Sequence, residues 1–273
     1  MDGILTHGIN SPKKVVSLGY RCSAAGIIKR LGRKTESYPF DWLISRLPIV
    51  QDCIETDFRN FLDQQKYVMQ QTTTVHYDTY TNDEIKICDE TIYYNTHYAE
   101  FPLHAMHTPA VLKQTRDTYA YPLATNHHNM TNPNDREYYA RCIGRFQKLM
   151  EDESQPVLFF YIHPALTLRE FNAYKSNLVQ SFTSFAKCLY KKVDDGISRI
   201  LFIIPVQTSC PYPITNRYPN VLETLFETPA IIIRAMYVNK DFVDAGEIFM
   251  RNAYIETDTL CSYVATLIQL GFA

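Results

Sequence analysis

No stretch of this chain is apolar for the roughly eighteen residues that a membrane helix needs, and the opening MDGILTHGINSPKK lacks the basic start and apolar run of a secretory signal. The expectation is a soluble, cytoplasmic protein with no membrane partner. Neither sign of charge is in excess: 27 Lys and Arg against 29 Asp and Glu leave a formal −2, so no global field draws nucleic acid. The seven cysteines, at 22, 53, 88, 142, 188, 210 and 261, include no CxxC pair. That spacing argues against a structural zinc site and a disulfide framework, and most of the seven read as buried thiols. Also missing are GxxxxGK(S/T), GxGxxG after the first strand, HExxH and GxSxG. A P-loop enzyme, a simple dinucleotide oxidoreductase and a zincin are set aside, and neither cofactor nor metal is expected.

What is present is 46% apolar residues in 273, enough for one α/β domain over 1–273 with an insertion at about 72–134. Val15 to Leu18 read as a short strand ended by Gly19. Ala24, Ile27, Ile28 and Leu31 follow at the spacing of one helical face, with Lys29 and Arg30 in the last turn and Gly32 as C-cap. A helix is expected from about Ile49 to Asp57. Alternation from Thr72 to Asn95 around Asn82-Asp83 predicts a β-hairpin, and residues 96 to 134 read as a loop region or lid. Tyr139, Ile143, Phe146 and Met150 line a helix for which Asp135 can serve as N-cap, and Leu178, Phe182, Phe185 and Leu189 line another. The runs PVLFFYIHP, RILFIIPV and PAIIIRAMYV read as strands buried on both faces, and a last helix runs from about Asp258 to Leu270. The fold class is α/β, a mostly parallel, Rossmann-like sheet flanked by helices.

Parallel strands place their carboxyl ends along one edge, where Gly19 to Cys22, His163 and the loop from Val206 to Pro213 would gather. Cys22 falls at the first turn of a helix, where free N–H groups and the dipole favour a thiolate. The plain alternative is a small residue packed on the sheet. A nucleophilic cysteine needs a base, and His163, ending the strand FFYIHP, points to that same edge. His104, in EFPLHAMH, lies in the polar middle region; His107, His127 and His128 are less constrained. Asp41, between Phe40 and the single tryptophan Trp42, is an orienting carboxylate or a cap for the helix after it. Arg141 and Arg145, four apart, share a helix face that either clamps an anion or is merely solvated.

The run VVSLGYRCSAAGIIKRLGRKTESYPFDWL, followed by DFRNFL, resembles a family of unknown function that bears the label of papain-like cysteine peptidases. The matching parts are Ser17-Leu18-Gly19 with Cys22, Pro39-Phe40-Asp41-Trp42, Phe101 with His104, and Tyr139 to Phe146 with Val157 to Tyr161. Arg21 and Ala105 stand where the family often has Asn and Asp. The resemblance implies Cys22 as nucleophile and a downstream histidine as its partner, in a cysteine-dependent hydrolase or acyltransferase. A papain-like enzyme sets its cysteine helix against an antiparallel, barrel-like lobe, whereas the strands here read as parallel.

Two other readings remain open. In a glycosyltransferase-like enzyme the turn Gly19, Arg21, Ser23 would cradle the diphosphate of a sugar nucleotide, aided by Arg141 and Arg145, with Trp42, Tyr38, Tyr93 and Tyr94 available for stacking. In a non-enzymatic interaction module the 72–134 insertion would bind a partner. The expected substrate is thus a protein, a peptide or a sugar nucleotide.

Overall fold

A computed structural model describes residues 12, 14–19, 22–77, 84–99, 123–125, 128–152, 154–163, 166–193, 197–208, 222–239 and 254–270. In chain order the elements are β1 (Lys14–Ser17), α1 (Cys22–Arg30), β2 (Ile44–Ser45), α2 (Leu47–Glu55), α3 (Arg59–Leu62), β3 (Tyr67–Tyr77), β4 (Glu84–Asn95) and β5 (Leu123–Thr125). There follow α4 (Pro133–Glu151), β6 (Val157–Ile162), β7 (Leu166–Thr167), α5 (Leu168–Val193), β8 (Arg199–Thr208), β9 (Leu222–Glu227), β10 (Ile231–Asn239) and α6 (Tyr254–Leu270).

Val15 and Val16 are neighbours in sequence and belong to different cores, because successive side chains of β1 point to opposite faces of its sheet. The sheet runs β1-β6-β8-β10-β9, parallel except for the edge strand β9, with β7 paired to β8. One face carries Val16, Phe159, Tyr161, Phe202 and Ile233 beneath α2, α4 and α5. The other carries Val15, Leu158, Phe160, Leu201 and Ile232 beneath α1 and α6. Every residue of β6 is buried, as its unbroken apolar sequence requires of a strand covered twice.

The fold is therefore mixed α/β with a mostly parallel sheet. The Rossmann-like part of the expectation is not confirmed: from β1 through β6 and β8 to β10 the described strands step in one direction, and no reversal of order is seen among them.

A second, antiparallel sheet runs β2-β5-β4-β3 and shares the first core through Tyr67, Tyr98 and Leu123. Its hairpin starts at Tyr67, earlier than the expected Thr72, because Gln70 and Gln71 hide the strand from a reading by alternation; the expected turn at Asn82-Asp83 lies outside the described residues. Asp135 is not the cap of α4. Asn132 is, with Pro133 after it, and the Asp135 carboxylate accepts instead from the Asn129 N–H (2.8 Å) and faces His128 Nδ1 (3.2 Å). Among the described residues, no helix is long and apolar enough to cross a membrane.

Candidate active site

Gly19 ends β1 with φ +94°, a left-handed value that glycine alone takes without strain, and its carbonyl accepts from Ile162 N–H of β6 (3.5 Å). Its N–H donates to Ser17 Oγ (3.2 Å). A methyl group here would overlap Ser45 Oγ of β2, so the absence of a side chain lets the small sheet close onto the turn.

Cys22 then opens α1. The first turn carries no acidic residue, and Lys29 and Arg30 sit in the last, so nothing in the helix opposes a negative charge at its start. Cys22 is half-buried and free, with half-buried Ser23 beside it. The four other described cysteines are poor candidates. Burial pushes the thiol of Cys53, wholly enclosed beside Tyr98, up to about 12. Burial, and then the hydrogen bond to Glu55, pushes Cys188 up to about 11, and burial raises Cys142 as well. Cys261, on α6 itself, is buried against the sheet. A thiolate is the reactive form, and burial at Cys53, Cys142 and Cys188 withholds it.

His163 follows β6, the neighbour of β1, so both residues stand at carboxyl ends of adjacent strands. Its N–H donates to Ile203 O (2.8 Å), and its ring, 8% exposed, lies 5.7 Å from that of Phe182 on α5. Since α5 covers the face opposite α1, the imidazole is turned towards the other side of the sheet from the cysteine helix. His104, His107, His127 and Arg21 lie outside the described residues.

Asp41 is 1% exposed and does not cap the next helix, whose N-cap is Arg46. One carboxylate oxygen accepts from Lys34 Nζ and from Tyr38 N–H (2.7 Å); the other, Oδ1, has no hydrogen-bond partner. Burial raises the carboxyl above its ordinary range against the opposing pull of Lys34. Lys34 Nζ also lies 5.6 Å from the centre of the half-buried Trp42 ring. With Lys14 bound to Glu36 (2.6 Å) at one end and Gly19 against Ser45 at the other, residues 34–45 follow the edge strand β1 along its length. The PFDW motif thus belongs to a cover alongside β1, an edge strand among the described residues.

The two arginines do not converge. Arg141 pairs with Glu137 on its own exposed surface (2.6 Å), whereas Arg145 holds Ser37 O (3.1 Å) and faces Glu36 (3.9 Å) in that same cover. The contact that sequence reasoning missed is that of Ser45 with Gly19. No local signal marks it, because the glycine lies elsewhere in the chain.

The profile of one protein family, described as "Putative papain-like cysteine peptidase (DUF1796)", matches residues 13–204. No curated protein and no solved structure matches the chain.

Proposed function

The chain belongs to the family so described, and from that premise we propose that it is a cysteine-dependent hydrolase in which Cys22 is the nucleophile. One observation carries this reading: of the five described cysteines, Cys22 alone opens a helix, partly exposed, at the carboxyl edge of a parallel sheet. The label's word "papain-like" is not carried over to the fold, since the cysteine helix here follows a parallel strand.

The chemistry is an acyl transfer. The Cys22 thiolate attacks a carbonyl carbon, the carbon–sulfur bond forms, and the carbonyl electron pair moves onto oxygen beside the free N–H groups of α1. Collapse expels the leaving group, which takes a proton from a histidine, and water then releases the acyl group. His104 is favoured over His163 as that base because the His163 ring is packed towards Phe182 and α5.

Cys22→Ala is expected to abolish turnover of peptide or ester substrates while leaving the circular dichroism spectrum and Tm unchanged. His104→Ala should lower the rate of Cys22 alkylation near pH 7 by about tenfold or more, with His163→Ala close to wild type. Full turnover in Cys22→Ala removes the reading; loss of alkylation in His163→Ala, with His104→Ala unaffected, reassigns the base.

A further inference from the structure

Lys34 and Asp41 form a buried pair in the segment alongside β1: the lysine side chain is 11% exposed and the carboxyl 1%. The ammonium donates to Asp41 Oδ2, which also accepts from the Tyr38 N–H (2.7 Å), and to the Glu36 carbonyl oxygen (3.0 Å). The second carboxylate oxygen, Oδ1, is enclosed with no hydrogen-bond partner. Asp41 stands between the wholly buried Phe40 and Trp42, whose ring centre lies 5.6 Å from Nζ. Charges taken out of water are costly even when paired, and an unmet buried oxygen adds to that cost.

We infer that Lys34 and Asp41 are the reactants of a self-formed isopeptide bond, which closes a covalent ring of residues 34–41. The ion pair already holds every atom the reaction needs. A proton passes from Nζ to the carboxylate, giving a neutral amine and a neutral acid; burial, which raises the Asp41 carboxyl, favours that acid. The Nζ lone pair then bonds to Cγ while the carbonyl electron pair moves onto Oδ2, beside the Tyr38 N–H. A second proton passes from nitrogen to Oδ1, the Cγ–Oδ1 bond breaks, and Oδ1 leaves as water while the Oδ2 electrons restore the carbonyl. In the product, Oδ2 keeps the Tyr38 N–H, the amide N–H keeps the Glu36 carbonyl, and the unmet oxygen is the atom that has departed. Each polar atom of the new amide thus has a partner already in place, and no charge stays buried. Contact between the two groups, away from water, supplies the proximity and dryness that condensation in bulk water lacks. Until the bond closes, the pair titrates as a free carboxyl and amine. The inference is independent of the reading of Cys22.

Intact-mass spectrometry of the full chain reads the bond directly. Wild-type protein kept folded in buffer is expected to lose the mass of one water over days, and the same chain held in urea to keep its full mass. Trypsin should then fail to cut after Lys34, and the loss should map to a peptide running from Lys34 to Arg46 whose fragments show the link to Asp41. Lys34→Arg, which keeps the charge but presents a guanidinium in place of the amine, and Asp41→Ala should both retain full mass. A wild-type chain that retains its full sequence mass overturns the inference. So does a loss of water that persists in Lys34→Arg, which marks a succinimide formed by Asp41 with the backbone nitrogen of Trp42. Mapping the loss in wild type needs no variant, so a variant that fails to fold leaves the test intact.

Discussion

Asp41 has two oxygens in unlike surroundings: one held by Lys34 and the Tyr38 N–H, the other enclosed without a partner. Burial is the stronger influence and raises its pKa, so the folded protein holds that proton more tightly than the unfolded chain does. The sign follows from linkage. Between the ordinary carboxylate value and the raised one, the native state binds more protons, and stability falls as pH rises through that interval. Glu36, whose hydrogen bond to Lys14 lowers its pKa, acts in the opposite sense and loses its contribution as pH falls. Comparison with Asp41→Asn isolates the first effect: in urea unfolding from about pH 3.5 to 7, the wild type is expected to lose stability relative to the variant as pH rises, then to level off. A difference independent of pH would mean that the carboxyl is not strained by its burial. None of this was legible from YPFDWL, where a carboxylate between two aromatic residues offered only a cap or an orienting group. The partner, Lys34, is seven positions away in an irregular segment without periodicity.

Elements buried on both faces were the readable part of the sequence. β6, β8 and β10 announced themselves as unbroken apolar runs, and α1, α4 and α5 as stripes at helical spacing. β2, β5 and β7, two or three residues each, are too short for any period to show, and β9 alternates too weakly on its half-exposed edge. Cys22 at a helix start was legible for the same reason as the helix. The Ser45 contact was not, because it joins two elements through a side chain that has neither charge nor pattern. Attachment of the small sheet is likewise a tertiary matter. After β4, Tyr98 is wholly buried, donates its hydroxyl to Asp52 (2.9 Å) and lies 3.4 Å from Cys53 Sγ, both on α2. Tyr98→Phe keeps the ring and removes the tie, and is expected to cost about 1–2 kcal/mol in denaturant unfolding. A change under about 0.3 kcal/mol would show that ring packing alone anchors the hairpin.

At the scale of the molecule, the family match and the physical unit do not end together. The match stops at residue 204, inside β8, whereas the sheet continues through β10 and β9, and α6 covers the Ile232 and Leu201 face. A chain truncated after Ile204 would leave one edge of β8 open, and it would uncover Leu158, Leu201 and Ile203 on the α6 side. It is expected to lose the cooperative thermal transition and the near-ultraviolet dichroism of the full chain, with exposed apolar surface that binds anilinonaphthalene sulfonate. A sharp transition in the truncated chain would show that the later strands are an accessory layer.

The pairing of Lys14 with Val157 also sets a clock. As the polypeptide leaves the ribosome, its first strand must wait for β6, and the Ile162 amide, made later still, docks on the Gly19 carbonyl just beyond β1. Throughout that interval the sulfur is an ordinary cysteine of a nascent chain. The nucleophile we propose at Cys22 therefore gains its setting at the start of α1 only after β6 has been made, an order that topology imposes.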